Sequence, residues 1–259
     1  MLFIAPPLSA YKCPELKDRQ YVDGTATYAE YNYLRAGIAS RVKIRHFELA
    51  LRATRGLFGN VNAIDFGCAD GVFLPSLSRY YDRVLGIDVS MDMVEVARIV
   101  VESLHLRNVS LLCNRGLSFE QLRGMSRGEI FRVAYALEVL EHVGQQPDPW
   151  GSRVLFLKGL FSLLDEKGIV VVSVPKMTGM SFLWQRIALA LLGCRREPLS
   201  WRQLFRAVVF KDTSELESRW NGDHLGFNHV RLEEQMRAHF EVVERIETVF
   251  QVVYVLRAR

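Results

Sequence analysis

Ala63-Ile64-Asp65-Phe66-Gly67-Cys68-Ala69-Asp70-Gly71 is the stretch that decides the fold, together with Arg83-Val84-Leu85-Gly86-Ile87-Asp88 further along. A short apolar run, a strand over about 62–66, ends in an acid and turns through two glycines. It then enters a helix over about 71–79 and is answered by a second strand, about 83–88, that also ends in an acid. Gly67 permits a tight turn off a strand end, and Gly71 permits close approach of backbone to a ligand and to the next helix. A carboxylate ending the second strand suits a ribose diol. This is the plan of a nucleoside-binding βαβ unit.

The spacing Gly67-x-x-x-Gly71 lacks the third glycine of a dinucleotide turn. A pyrophosphate is drawn to a free helix N-terminus, whereas Asp65, Asp70 and Asp88 gather negative charge around this turn. Three carboxylates favour a ligand with a cation and hydroxyls, which a sulfonium nucleoside amino acid satisfies better than a nicotinamide dinucleotide.

Outward from that unit, Ser90 is a candidate N-cap for a helix reaching about 104, and 108–114 reads as a third strand. A loop holding Gly124 and Gly128 leads to a fourth strand over 131–137. A helix over 150–164 is stopped by a turn at 165–168, and 169–174 is a β-branched run suited to a strand buried on both faces. Strands alternating with helices predict a doubly wound α/β sheet with ligands at the strands' carboxyl ends. The rhythm breaks over 176–230, read as a helical insertion, and resumes with a helix over 232–239 and an antiparallel hairpin of strands at 241–247 and 249–257. Before the βαβ unit, an irregular arm over 1–20 leads into a helical pattern over 27–55. The arm and helix (1–58) and the insertion are expected to belong to one domain spanning 1–259. Tyr21, Tyr28, Tyr31 and Tyr33 are read first as core aromatics.

The 259 residues are 49% hydrophobic, ample for a core. Cys13, Cys68, Cys113 and Cys194 are scattered without metal or disulfide spacing, which favours reduced thiols and a cytoplasmic setting. The start, Met1-Leu2-Phe3-Ile4-Ala5-Pro6-Pro7, lacks a basic region and is cut by prolines, so no secretory signal is expected. A net charge of +4 permits an anionic partner without demanding one, and argues against nucleic acid.

Ala63 to Gly71, Asp88, and above all Leu137-Glu138-Val139-Leu140-Glu141-His142-Val143 resemble the class I S-adenosylmethionine-dependent methyltransferases. The nearest branch includes the ubiquinone-pathway O-methyltransferases. The resemblance covers 60–175 well and 227–240 more loosely. It implies a Rossmann-like, mostly parallel seven-stranded sheet with S-adenosyl-L-methionine as cofactor. It also implies that Asp65, Gly67 and Gly71 line the methionine part, that Asp88 holds the ribose hydroxyls, and that Val89 and Met91 flank the adenine. Cys68, Ala69, Asn114 and Leu137 complete the implied cofactor set. Two positions depart from the family pattern. Asn114 stands where many members carry an acid facing the adenine amine, which its amide oxygen can still accept. Arg132 stands where relatives often begin the fourth strand with Asp.

Glu138, Glu141 and His142 are the most chemically loaded residues. On a helical turn Glu138 would share a face with Glu141 and His142. Two carboxylates and an imidazole can bind a divalent cation such as Mg, or His142 can act as general base on an acceptor hydroxyl. The resemblance supports both, since quinone-pathway and small-RNA 3′-end methyltransferases with a similar arrangement use a metal. The bland alternative is a helix start whose acids complement the dipole. His224 and His229, in Gly222-Asp223-His224-Leu225-Gly226-Phe227-Asn228-His229, are candidates to complete the site or to satisfy loop backbone.

In the insertion, Trp184 and its apolar neighbours stand beside Lys176, Arg186, Arg195, Arg196, Arg202 and Arg206. They form either a substrate lid or a peripheral membrane contact through 176–210. The expected activity is O-methylation of a small or lipid-linked acceptor. The alternatives are a metal-assisted RNA 2′-O-methyltransferase and an inactive cofactor-binding interaction module.

Overall fold

The structure is a computed structural model describing residues 1–12, 27–35, 37–126, 129–144, 148–191, 198–217 and 224–259. Cys13, Tyr21, Gly128, Leu192, Cys194, Arg195, Arg196, Gly222 and Asp223 lie outside the described residues. The chain falls into two compact units, Met1–Leu137 with Lys158–Val171, and Glu138–Leu157 with Val172–Arg259.

The first unit opens with a π-helical turn, Glu30–Leu34, followed by α1 (Ile38–Lys43) and α2 (Arg45–Ala53). The single helical pattern expected over 27–55 is thus realised in pieces, with Gly37 at φ 154° in front of α1. Tyr33 packs edge-on to Phe47, whose ring stacks on Phe73, as the core reading of the tyrosines expects, whereas Tyr31 is 44% exposed. Then come β1 (Asn62–Phe66), α3 (Leu74–Tyr80), β2 (Val84–Asp88), α4 (Met91–Ser103), β3 (Val109–Cys113), α5 (Phe119–Met125) and β4 (Phe131–Leu137). β1 runs parallel to β2 and β4, with Asp65 opposite Gly86 and Tyr135, and β2 runs parallel to β3. Ala63, Ile64, Asp65 and Phe66 are all buried, as a central parallel strand requires.

Three local features depart from the sequence reading. α3 starts at Leu74 rather than 71, because Gly71 is left-handed (φ 86°) and cannot open a helix. α5 occupies what was read as loop. Ser118 accepts from the Gln121 N–H while the Gln121 side chain accepts from the Ser118 N–H, a reciprocal cap that starts a helix despite Gly124. Phe119 then stacks on Phe66 at 5.7 Å and lies where a Cβ on Gly159 would sit, so α5 docks only because residue 159 is glycine. Ser90 caps α4 as expected, accepting from the Met93 N–H.

α6 (Pro149–Ser162) and β5 (Leu164–Pro175) contribute to both units. The expected turn at 165–168 lies within the span of β5, where the Lys167 N–H bonds the Asp165 carboxylate. Arg132, unassigned from sequence, pairs with the same Asp165 at 2.6 Å. The second unit continues with α7 (Gly179–Leu191), α8 (Trp201–Phe205), a π-helical turn (Arg206–Phe210) and α9 (Ser214–Glu217). It closes with α10 (His229–His239), β6 (Phe240–Glu247) and β7 (Gln251–Ala258). The insertion is helical among its described residues, and β6 and β7 form the expected antiparallel hairpin. α10 begins three residues before the predicted start because the Asn228 side chain accepts from the Val230 and Arg231 N–H groups. The seven strands follow the order β3-β2-β1-β4-β5-β7-β6. Among the described residues, no helix is long and apolar enough to cross a membrane.

Candidate functional site

In the first unit, the turn after β1 is shaped by three consecutive constraints. Gly67 (φ 82°) and Ala69 (φ 46°) are left-handed, and the Gly67 and Cys68 N–H groups both donate to the Ile87 carbonyl at the end of β2. The Ala69 N–H donates to Asp88 Oδ2 at 2.9 Å, and the Ser90 N–H donates to Asp88 Oδ1 at 2.8 Å. Asp88 therefore both holds the turn and presents its remaining lone pairs outward from a half-buried position. Val89 and Met91 stand beside it with exposed apolar side chains. The Asn114 N–H bonds the Asp88 carbonyl, which fixes Asn114 next to the same acid.

Three buried oxygens here, Asp65 Oδ2, Asp70 Oδ1 and Asn114 Oδ1, have no hydrogen-bond partner among the described residues. Orphaned acceptors of this kind cost stability unless a ligand donates to them. A ligand bearing a cation, an amine and a vicinal diol fits this donor-hungry set, so the residues match the expected cofactor. Burial, and secondarily the charge of Asp88, pushes the Asp65 carboxyl up to about 7. Burial raises the Cys68 thiol well above its usual range, with Asp65 next in effect. Gly71 makes the close approach to the next helix that the sequence suggested. A Cβ there would meet Leu74 Cδ1 at 3.2 Å and Ala97 Cβ at 3.3 Å, so its role is close packing against α3 and α4. Asp70 turns to the amino-terminal segment, its Oδ2 accepting from the Ala29 N–H while the Tyr11 hydroxyl bonds its carbonyl.

In the second unit, Glu138 to His142 does not form a helix, which corrects the shared-face argument. Glu138 is left-handed (φ 57°), its N–H donates to the Ser173 carbonyl and hydroxyl, and the Ser173 hydroxyl donates to Glu138 Oε1 at 3.0 Å. Tight turns from His142 N–H to the Val139 carbonyl and from Val143 N–H to the Leu140 carbonyl replace helical geometry. The cluster that does assemble is Glu141, His142 and His224, whose ligand atoms lie within 4.8 Å of one another. His224 thus takes the place expected for Glu138. Glu141 is fully buried, His142 is exposed, and the two imidazoles stand 5.1 Å apart. Burial, and then Glu138, raises the Glu141 carboxyl well above its usual range, while Arg153 opposes the rise.

Arg153 was missed from sequence because its burial depends on contacts distant in the chain. Only 2% exposed, it donates from Nε to the Leu140 carbonyl at 2.9 Å and lies over the Trp150 and Phe227 rings. It thereby anchors the turn that carries Glu141 and His142. His229 does not join them. Buried on α10, it pairs with Thr178 across 3.4 Å and lines a separate cavity. Trp184 lies exposed on α7, and Leu137, ending β4, is buried.

Residues 29–221 match the family described as a methyltransferase domain. A protein of Azorhizobium caulinodans named ubiquinone biosynthesis O-methyltransferase is 31% identical over 189 residues, 72% of this chain and 67% of that protein. Its namesake from Bradyrhizobium diazoefficiens is 29% identical over 62% of this chain and 56% of its own length. The matched stretch thus spans between about half and two thirds of these relatives. Among solved structures, a Pyrococcus horikoshii protein matches with a TM-score of 0.58 at 16% identity, covering 90% of this chain and 98% of that one. Magnesium protoporphyrin IX methyltransferase from Synechocystis, with bound S-adenosylhomocysteine, matches with a TM-score of 0.53 at 16% identity, covering 86% and 89%. The structural likenesses establish the fold, while the family match, which takes in well over half the chain, establishes the class. The chain belongs to the class I S-adenosylmethionine-dependent methyltransferases.

Proposed function

We propose that this methyltransferase acts on an oxygen of a small or lipid-linked acceptor, with His142 receiving the acceptor's proton. The observation that carries this reading is the packing of a buried carboxylate, Glu141, against an exposed imidazole, His142. Glu141 orients the ring, and His142 is the exposed partner that can take a hydroxyl proton. The bound cofactor supplies a methyl group on a positively charged sulfur, so the protein chiefly has to position the acceptor and remove its proton. Asp88 accepts from the ribose hydroxyls, Asp65 offsets the cation, and Asn114 accepts from the adenine amine. The names of the curated relatives support a small acceptor over RNA. The family match draws on both compact units, which supports reading the chain as one methyltransferase domain.

The same cluster offers a divalent cation one carboxylate oxygen and two imidazole nitrogens, from Glu141, His142 and His224, a donor set that suits Fe or Zn better than the Mg expected from the sequence. There it would stabilise an acceptor oxyanion. Peripheral membrane contact is supported by the exposed side chains of Trp184, Ile187, Trp201, Phe205 and Phe210. Sedimentation with anionic and with neutral vesicles tests that contact, and no binding to either removes it.

The central test is methyl transfer to a panel of phenol, catechol and polyprenyl-phenol acceptors. His142→Ala is expected to lower turnover by roughly 10²- to 10⁴-fold while leaving S-adenosylmethionine affinity intact. Full turnover in that variant would falsify the proton-acceptor role. Loss of wild-type turnover on chelation, restored by one of Fe, Zn or Mg, selects the cation reading.

A further inference from the structure

We propose that the second unit carries a binding site for a small organic anion, a carboxylate or a phosphate monoester. It lies in the cavity bounded by Lys176, the start of α7, Lys211, α10 and β6. This site is independent of the acceptor chemistry proposed above and shares no residue with the Glu141, His142 and His224 cluster.

Charge balance is the first reason. Four cations, Lys176, Lys211, Arg237 and Arg245, line the cavity with three acids, Glu233, Glu234 and Glu247. Two of those acids are already engaged. Glu233 accepts from Arg237 at 2.8 Å, from Arg245 at 2.9 Å and from the Tyr254 hydroxyl at 3.0 Å. Glu247 accepts from Arg245 at 2.6 Å and from Lys176, whose bond above all holds its carboxyl down to about 2. Lys211 and Glu234, the remaining cation and the remaining acid, have no ion pair among the described residues, so the lining carries one positive charge in excess.

The His229 ring faces these charges. It is 5% exposed and lines the cavity, and its Nε2 has no hydrogen-bond partner among the described residues. Burial lowers its protonation to about 4, with Lys176 next in effect and Arg245 and Lys211 adding to it; only Glu247 opposes. Three cations and one acid thus act on the ring from the cavity wall.

Lys211 is also placed rather than merely present. Its backbone is left-handed (φ 52°), and its carbonyl accepts from Asn228 Nδ2 at 2.8 Å. The same Asn228 side chain caps α10 through Oδ1, so one residue sets both the helix start and the lysine. The cavity, about 510 Å³, is far larger than a lone ion needs and falls in the small-molecule range. Met180 and Val230 add apolar wall for an organic body.

The test titrates the full chain with inorganic phosphate, glycerol 3-phosphate and hexanoate at ionic strength matched with chloride. Calorimetry reads binding, and NMR reads the His229 imidazole. At least one anion class is expected to saturate and to raise the pH at which His229 protonates. Lys211→Glu, on an exposed side chain, should weaken that binding by about tenfold or more. A response to the phosphates alone assigns a phosphate monoester, and a response to hexanoate alone assigns a carboxylate. Absence of saturation beyond the chloride control, or equal binding by Lys211→Glu, overturns the proposal.

Discussion

The Ala69 amide and the Asp88 carboxylate are joined by a 2.9 Å hydrogen bond, so the turn after β1 and the acid ending β2 behave as one unit. Ala69 occupies left-handed backbone (φ 46°), which costs a non-glycine residue about 1 kcal/mol or more. A charge-assisted bond to a carboxylate offsets that cost. The acid suited to a ribose diol is thus also the acid that shapes the turn, and the Ser90 amide on its other oxygen ties it to the start of α4.

Asp88→Ala therefore removes the proposed ribose contact and two backbone anchors together. Affinity for S-adenosylmethionine should fall by about tenfold to a hundredfold, with a loss of roughly 1–3 kcal/mol in stability. Calorimetry and urea unfolding measure the two. Asp88→Asn keeps one acceptor oxygen and should fall between, in both measurements. Unchanged cofactor affinity in Asp88→Ala would place the nucleoside elsewhere.

Asp65 predicts a pH dependence of definite sign. Its carboxyl is raised from 3.8 to about 7, mainly by burial, so between about pH 4 and 7 the folded chain holds a proton that the unfolded chain has released. Its contribution to stability falls as pH rises through that window and is level above it. Asp65→Asn should stabilise the ligand-free protein at pH 8 by roughly 1–3 kcal/mol and give no gain at pH 4. A cationic ligand favours the ionised form, so wild-type affinity for S-adenosylmethionine should rise with pH from 6 to 8, with proton release on binding. Calorimetry in buffers of different ionisation enthalpy reads that release, and the asparagine variant should lack it.

How much of this could be read from residues alone depends on the range over which each feature is determined. The turn at Gly67, the acid at Asp88, the Ser90 cap and the buried valines of β5 are local, and their residue types carry their geometry. The reciprocal cap of Ser118 and Gln121 was equally local but was outweighed by Gly124 and Gly128. Glu138 is different. Nothing in its own type demands a left-handed backbone; Ser173, distant in the chain, supplies the bonds that hold it there. Arg153 was hidden for the same reason, since its burial depends on Trp150, Phe227 and the Leu140 carbonyl coming together.

The glycines permit an internal comparison. Gly71 (φ 86°) and Gly116 (φ 76°) are both left-handed, but a Cβ on Gly71 meets Leu74 and Ala97, whereas one on Gly116 meets nothing within 4 Å. Gly116→Ala should cost only the backbone term, about 1 kcal/mol. Gly71→Ala should cost about 2–4 kcal/mol, because α4 must shift as well. Denaturant midpoints of the two variants measured side by side separate conformational strain from packing.

Arg153 carries the last prediction. Its guanidinium holds the Leu140 carbonyl, lies over Trp150 and Phe227, and opposes the rise of the Glu141 carboxyl. Arg153→Met fills similar volume but strands that carbonyl and removes the cation beside a buried acid, so stability should drop by roughly 2–4 kcal/mol. Glu141 should become harder still to ionise. If it orients His142 as a carboxylate, the rise of turnover with pH should move to higher pH in the variant. The proposed S-adenosylmethionine contacts of Asp65, Asp88 and Asn114 involve none of these residues, so cofactor affinity should stay within about twofold. Arg153→Lys restores a cation without the planar fork, and should recover part of the stability and the pH profile but not the full turnover. A variant that folds and turns over with an unshifted profile would confine Arg153 to packing.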